Sequence, residues 1–282
     1  MNLTHKQKEL LIALKNVLVY GDTKLNTVGM DYTKVKAKKQ VLFLMAGAIQ
    51  SYSEAVLKLL EPPVVYDKAA EVIFRSMMET IINLNYIYSE KTQIKALCFM
   101  IYSSEEKIDF AKKHQKFMLK RPQWQLAFGP NLKPADWDEF IDNENKTMVL
   151  AEKHFKKKLV NKFQRNLAKR AKEADVYLEK KGKLKQGNSL EHQYFLYYKH
   201  FSQLAHLTMP GLEQFINKKD NSKWTYVIDG NGDDLERVCF VTFGLYLDFL
   251  RFFLKEYGIY NKEEWGNHLK ELKRISRTTS EI

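Results

Sequence analysis

The sequence predicts an all-α protein, a multi-helix bundle with a long basic helix that projects from the bundle or packs on its side. Most of the 282 residues repeat apolar side chains at the three- and four-residue spacing of amphipathic helices. Glycine and proline are sparse, at 12 and 6 residues, which disfavours the many tight turns of a β-sandwich or barrel. Only residues 223–228, KWTYVI, have the composition of a strand, and we interpret this isolated segment as a loop.

Helix boundaries in the first half of the chain follow from glycine, proline and capping residues. Gly21 closes the first predicted helix, and Pro62 with Pro63 terminates the second. Asp67 and Ser104 are the predicted N-caps of later helices. The stretch that follows, residues 121–137, contains three prolines and is predicted to form a surface loop. The predicted helices of this half cover residues 5–20, 34–60, 67–88, 92–102 and 104–120.

The second half begins with a predicted continuous helix from about Asp138 to Lys181, which is rich in charged residues. Three further helices follow, because start and stop signals recur near residues 182–189, at Pro210 and at Asn261. We interpret the whole chain as a single all-helical domain. Its predicted parts are a core of residues 34–120 and 189–258 and a basic helical insertion at residues 138–185.

The composition is typical of a soluble protein of a reducing compartment, and we expect a cytoplasmic location. Cys98 and Cys239 lie in apolar helical patterns without metal-ligand spacing, so both are predicted to be reduced core residues. The N-terminal stretch lacks the features of a signal peptide, and no stretch reaches about 18 uncharged apolar residues. We therefore expect no contact with a membrane.

Two distant segments combine polar residues with an apolar helical pattern. Tyr198, Ser202 and His206 lie four residues apart, which places them on one face of a helix. Arg75 and Glu79 have the same spacing inside an apolar run. Because unpaired polar groups are costly to bury, the pattern predicts a polar cluster between the two helices. An exposed salt bridge and a helix-capping histidine are the ordinary alternatives.

The two segments resemble an uncharacterised bacterial helical family, domain of unknown function 5677. The resemblance lies in FRSMMETIINLNYIY, with Arg75-x3-Glu79, and in YYKHFSQLAHLTMPGL, with Tyr198-x3-Ser202-x3-His206, and it covers roughly residues 46–212. It implies an all-α bundle in which these five residues converge. It implies no particular reaction.

A looser resemblance is to the HEPN helical bundles, many of which are metal-independent ribonucleases of toxin–antitoxin and phage-defence systems. Those proteins carry a histidine four to six residues after an arginine on one helix, and no Arg-x4-6-His pattern occurs in this sequence. A nuclease site would here combine Arg75 and His206 from different helices. The resemblance implies that His206 acts as general acid or base and that Arg75 stabilises the charge on phosphorus. Tyr198 and Ser202 would position the phosphate, and Glu79 would orient Arg75.

The stretch of residues 152–185 concentrates positive charge. It holds 13 lysines and arginines against 4 acidic residues and so accounts for +9 of the net charge of +12. Such a concentration suits contacts with a phosphate backbone, and a solvated helix face is the ordinary alternative. The predicted nucleic-acid contacts are Lys156, Lys157, Lys158, Lys162, Arg165, Lys169, Arg170 and Lys172.

No metal or cofactor is predicted. The segment from Asp229 to Asp233 resembles the opening of a calcium-binding loop, but Asp234 stands where glycine is required and Phe240 where glutamate is required. The sequence contains no P-loop, no GxGxxG and no HExxH motif.

These observations lead us to expect a protein directed at nucleic acid, RNA rather than DNA, and specifically a ribonuclease in phage defence or a toxin–antitoxin system. A second interpretation is a non-enzymatic interaction protein, in which the polar cluster is structural and the basic helix docks an acidic partner. A third is a hydrolase in which His206 activates Ser202, although a lone pair of this kind lacks an oxyanion hole. A homodimer is left open.

Overall fold

The computed structural model describes residues 3–28, 36–121, 134–155, 159, 162–184, 189–206, 216–220, 223–226 and 234–277. It confirms the all-α class, because helices that pack together make up most of this described part of the chain, with a single small hairpin beside them. Within these ranges, no helix is both long and apolar enough to cross a membrane.

Contacts divide the chain into two compact units. The first comprises residues 1–35, 42–86 and 167–282, and the second comprises residues 36–41 and 87–166. Our interpretation of residues 1–282 as one domain, with a core of residues 34–120 and 189–258, stays a prediction.

The first unit contains most of the helices. Its central helix is α9 (Leu235–Tyr257), in which Phe243, Tyr246 and Phe253 are fully buried. The Tyr246 hydroxyl donates a hydrogen bond to Gln50. In chain order the elements are α1 (His5–Asn26), α2 (Ala37–Leu60), α3 (Asp67–Ile87), α6 (Leu167–Lys180), α7 (Leu190–Gln193), a π-helix (Tyr194–Tyr198), α8 (Lys199–Ala205), α9 (Leu235–Tyr257) and α10 (Lys262–Arg277).

Gly21 does not end α1, as the sequence suggested. The helix continues past this residue to Asn26, and Gly21 is buried inside it. A Cβ atom at this position would overlap the Tyr246 hydroxyl. Because Gly21 has no side chain, α1 and α9 can approach each other closely at this point.

The second unit is built on a pair of antiparallel helices, α4 (Thr92–Lys120) and α5 (Pro134–Phe155). Lys107 binds Glu144 at 3.0 Å, and Gln115 binds Asp138 at 2.9 Å. The predicted break before Ser104 is wrong, because Ser104 is buried inside one continuous helix. The predicted loop over residues 121–137 is also wrong at its end, where α5 begins at Pro134, a residue suited to a first helical turn.

The continuous basic helix from Asp138 to Lys181 is wrong as well. Helix α5 ends at Phe155 and α6 begins at Leu167. The backbone N–H of Leu159 donates to the Glu152 carboxylate at 2.7 Å instead of to a carbonyl one turn earlier. Phe163 is buried in the second unit, 5.3 Å from the rings of Phe99 and Tyr102. The chain thus leaves the helix in this region, and apolar side chains such as Phe163 are buried instead.

The segment of residues 223–228, which we predicted to be a loop, contributes one strand of a β-hairpin. Strand β1 (Ile216–Asp220) pairs antiparallel with β2 (Lys223–Tyr226), with Ile216 opposite Tyr226. The prediction failed because it found no partner for this strand. The partner is β1, whose polar sequence INKKD lacks the apolar composition of a strand.

Candidate functional site

Helix α3 carries a line of polar residues at intervals of four, which we call the α3 polar stripe: Asp67, Glu71, Arg75, Glu79 and Asn83. Residues four apart lie nearly one above the other on a helix. The rest of α3 buries apolar side chains, among them Phe74, Met77 and Met78. The stripe therefore presents polar groups of α3 to several neighbouring elements.

The middle of the stripe is linked to the π-helix through one tyrosine hydroxyl. Arg75 Nη2 donates to Tyr198 Oη at 2.9 Å, and Tyr198 Oη donates to Glu79 Oε2 at 3.3 Å. The Arg75 guanidinium also lies 4.7 Å from the centre of the Tyr198 ring, a cation–π contact. The structure thus brings together three of the five predicted residues: Arg75, Glu79 and Tyr198.

The electrostatics keep this tyrosine protonated. Burial raises the pKa of Tyr198, and the Glu79 carboxylate raises it further, while Arg75 opposes both. The phenol is therefore a hydrogen-bond donor to Glu79 at neutral pH. All three side chains are half-buried, so the network lies close to the protein surface.

Ser202 and His206 stand apart from this network. Ser202 is half-buried on α8, and His206 is exposed just beyond the end of that helix. The backbone N–H of His206 donates to the Ser202 carbonyl at 3.0 Å. Among the described residues, neither side chain forms a hydrogen bond with Arg75, Glu79 or Tyr198. Participation of Ser202 and His206 in the site stays a prediction.

The N-terminal end of the stripe holds a second charged cluster. Glu71 is fully buried, accepts a hydrogen bond from Arg237 at 2.7 Å, and lies 3.6 Å from the Lys68 ammonium. Asp234 binds Arg237 at 2.7 Å and also pairs with Lys68. Burial raises the pKa of Glu71 despite these cations. Burial also acts to raise the pKa of Asp234, but the hydrogen bond and charge of Lys68 outweigh it and lower this pKa.

His200 is half-buried beside this second cluster. Burial lowers the pKa of His200, and the nearby charges of Arg237 and Lys68 lower it further. Arg237 itself lies 5.6 Å from the centre of the Phe201 ring. Sequence reasoning missed Glu71 and Arg237. The four-residue interval from Arg75 back to Glu71 was the available signal.

The C-terminal end of the stripe corrects one predicted nucleic-acid contact. Arg170 is 5% exposed, and its guanidinium donates to the Asn83 side chain. It therefore holds α6 against α3 and does not face solvent for contact with a phosphate.

The other predicted contacts divide between the two units. Lys162 and Arg165 are exposed in the second unit, where Arg165 binds Glu105 at 3.0 Å. Lys169 and Lys172 are exposed on α6 in the first unit. The remaining candidates, Lys156, Lys157 and Lys158, lie outside the described residues.

Comparison with known proteins assigns the family. Residues 38–223 match the model of a family of unknown function, DUF5677. The chain belongs to DUF5677. The matched region contains the Arg75–Tyr198–Glu79 network and the Asn83–Arg170 contact, whereas Arg237 lies outside it. No curated protein and no solved structure matches the chain.

This DUF5677 chain gives no sign of a metal centre in its described part, where no group of three or more histidine, cysteine or acidic side chains is placed to hold an ion. The segment from Asp229 to Asp233 lies outside the described residues. Both Cys98 and Cys239 are buried, as predicted, and neither forms a disulfide.

Proposed function

We propose that this DUF5677 protein binds RNA and cleaves its backbone with side chains alone. The observation that carries the proposal is the position of the Tyr198 hydroxyl between Arg75 and Glu79. Residues at this spacing on a helix ordinarily form a direct ion pair. Here the carboxylate accepts a hydrogen bond from a phenol, and the half-buried Arg75 keeps further guanidinium N–H groups for a phosphate oxygen.

The proposed reaction is an internal transfer at phosphorus. The 2′-oxygen of one nucleotide attacks the adjacent phosphorus, and a general base takes its proton. The bond to the 5′-oxygen breaks, and a general acid protonates the departing oxygen. The products are a 2′,3′-cyclic phosphate and a 5′-hydroxyl. Arg75 stabilises the extra negative charge on phosphorus, and His206 serves as acid or base.

RNA is the proposed substrate in preference to DNA because this chemistry requires the 2′-hydroxyl. Exposed cations support the binding of a polyanion: Lys162 and Arg165 in the second unit, and Lys169 and Lys172 in the first. Such binding depends on the release of counterions, so it weakens steeply with added salt. The assignment to phage defence or a toxin–antitoxin system rests on the HEPN resemblance alone.

Incubation with single-stranded RNA and with tRNA in the presence of EDTA tests the proposal. Wild type is expected to release fragments with cyclic phosphate ends. Arg75→Ala is expected to lower the rate by about 100-fold or more, the range for loss of one group that stabilises a transition state. His206→Ala should have a comparable effect, while His192→Ala, a matched exposed histidine on α7, should not. Inert wild type would refute cleavage.

A second candidate function is that of a non-enzymatic interaction protein. The bonds from the α3 polar stripe to α6, the π-helix and α9 favour it, since each fixes one element against α3. In that case Arg75→Ala lowers the free energy of unfolding and changes no activity. His206, which lies outside the network, then tolerates substitution without loss of stability.

A further inference from the structure

We propose that the π-helix presents a stacking platform for an unpaired base, formed by Phe195 and flanked by Lys199, so that the substrate is single-stranded RNA. This inference rests on the proposed function and names the form of RNA that the same site accepts. It assigns a binding role to residues on the side of the π-helix that faces solvent.

The platform is recognised first by its exposure. Phe195 is 52% exposed and Leu196 is 49% exposed, although both are large apolar residues next to each other in the chain. Scattered exposed apolar residues are ordinary, whereas contiguous exposed apolar surface is typical of a contact with a partner. Their location on a π-helix adds to this, because π-turns are rare and concentrate at functional sites.

The ring of Phe195 is connected to the Arg75 network by other rings. Tyr198 stacks on Tyr194 with ring centres 5.1 Å apart and planes 18° apart. Tyr194 in turn meets Phe195 edge to face at 5.4 Å. Three aromatic rings therefore run from the guanidinium of Arg75 to the exposed face of the π-helix. A base that stacks on Phe195 is bound close to the proposed reacting phosphate.

Positive charge accompanies the exposed ring. Lys199 is exposed, and its ammonium lies 5.7 Å from the centre of the Phe195 ring. Helix α6, which packs against α7, exposes Lys169 and Lys172. Asp175 fixes these two helices to each other by accepting hydrogen bonds from the Ser189 hydroxyl at 2.7 Å and from two backbone N–H groups at 2.9 Å. Aromatic rings with adjacent lysines are the general means of binding single strands.

The geometry selects an unpaired base because the faces of bases in a duplex are covered by their neighbours. Only a nucleotide that has left the stack can lie on an aromatic side chain. A duplex contacts the same surface through its phosphates alone and gains nothing from Phe195. The proposal therefore predicts a preference for single strands that disappears when the ring is removed.

The test is fluorescence anisotropy with a labelled 2′-O-methyl RNA. Its length of about twelve nucleotides lies within the range that single-strand-binding domains cover. The 2′-O-methyl group prevents cleavage, so binding is measured alone. Wild type is expected to bind the single strand more tightly than a duplex of the same length. Phe195→Ala is expected to raise the Kd for the single strand by about tenfold or more, the contribution of one stacked base. Its Kd for the duplex should not change.

Matched controls come from elsewhere in the first unit. Phe240→Ala removes another exposed phenylalanine, 37% exposed on α9, and should leave both Kd values unchanged. Lys255→Gln removes an exposed lysine whose ammonium lies 5.1 Å from the centre of the Tyr260 ring. This lysine and ring resemble the pair formed by Lys199 and Phe195. Lys199→Gln should weaken binding of the single strand and Lys255→Gln should not.

The outcomes separate the two proposals. Salt-sensitive RNA binding that is equal for both probes and insensitive to Phe195→Ala would overturn the platform and leave the RNA function standing. An absence of RNA binding by wild type at low salt would refute the proposed function itself. If Phe195→Ala instead abolishes self-association in light scattering and RNA does not bind, the surface is a contact between protein chains and both proposals fail.

Discussion

The Arg237 guanidinium donates a 2.7 Å hydrogen bond to the Glu71 carboxylate, which has no exposed surface. Arg237 is itself 44% exposed, so this contact joins a buried charge to the protein surface. Lys68 is the second cation near Glu71, at 3.6 Å. A buried carboxylate without such partners would be strongly destabilising. The balance between burial and these cations makes the charge of Glu71 sensitive to pH.

We predict that Glu71 and Asp234 make opposite contributions to the pH dependence of stability. The pKa of Glu71 is raised above its ordinary value of 4.5 by burial, so the folded protein holds the proton more tightly than the unfolded chain. Its contribution is therefore complete below that value and declines as the pH rises through the raised pKa. The free energy of unfolding of wild type, relative to Glu71→Gln, should fall from about pH 4.5 to pH 7.5.

The control for this measurement is Asp234→Asn. The pKa of Asp234 is lowered from 3.8, so its stabilising contribution is complete above that value and is lost only as the pH falls through the folded pKa. Because the charge of Asp234 also raises the pKa of Glu71, urea unfolding should show a smaller slope for wild type relative to Asp234→Asn than relative to Glu71→Gln between about pH 4.5 and pH 7.5. Equal slopes for the two substitutions would contradict the assignment.

Tyr198→Phe is predicted to weaken RNA binding without removing any charge. Loss of the hydroxyl allows Arg75 and Glu79 to pair directly, because they lie one helical turn apart. The Kd for RNA should rise by roughly tenfold, the order expected for loss of one charge-assisted hydrogen bond. Adding Glu79→Gln should restore the affinity, since it removes the competing carboxylate. Tyr197→Phe serves as the control, and an effect as large as that of Tyr198→Phe would disprove the bridging role.

Asp175→Ala is predicted to destabilise the junction of α6 and α7 by about 1–3 kcal/mol. Asp175 is 7% exposed and caps the start of α7, and its loss leaves buried backbone N–H groups unpaired. Chemical unfolding measures the change. Asp109→Ala, which removes an exposed aspartate paired with Lys113 within α4, should have no measurable effect. Equal stabilities of both variants would show that the cap is not stabilising.

Two glycine substitutions are predicted to change stability in opposite directions. Gly21→Ala should lower the free energy of unfolding by about 1–3 kcal/mol, because its Cβ overlaps the Tyr246 hydroxyl and lies 2.8 Å from Tyr246 Cζ. Gly47→Ala lies inside α2 with no atom within 4 Å of the new Cβ. It should stabilise the helix by about 0.5–1 kcal/mol. Thermal melts show whether each substitution raises or lowers the Tm, and a higher Tm for Gly21→Ala would contradict the close approach of α1 and α9.

The sequence was sufficient for the class of fold and for most helices, because the apolar periodicity that defines a helix is local. It failed where a distant contact decides the outcome. Gly21 reads as a helix stop, yet Tyr246, far along the chain, gives it a place inside α1. Leu159 and Phe163 fit a helical pattern equally well, and their burial in the second unit breaks the helix instead.

The candidate site was predictable in part for the same reason. The spacing of Arg75 and Glu79 with a distant tyrosine was visible in the sequence, and the structure joins them through Tyr198. The burial of Arg170 against Asn83 was not visible, because a lysine- and arginine-rich stretch does not reveal which of its members turns inward. The π-helix was also missed, since its sequence, YFLYY, is that of an ordinary helix.

The α3 polar stripe has a consequence for how DUF5677 sequences can diverge. Insertion or deletion of one residue between Glu71 and Asn83 would rotate the following side chains by about 100° and separate part of the stripe from its partners. Homologues that keep these contacts should therefore tolerate insertions and deletions in their loops but not between the positions of Glu71 and Asn83. An alignment with gaps inside that interval would indicate that the helix is anchored differently in other members.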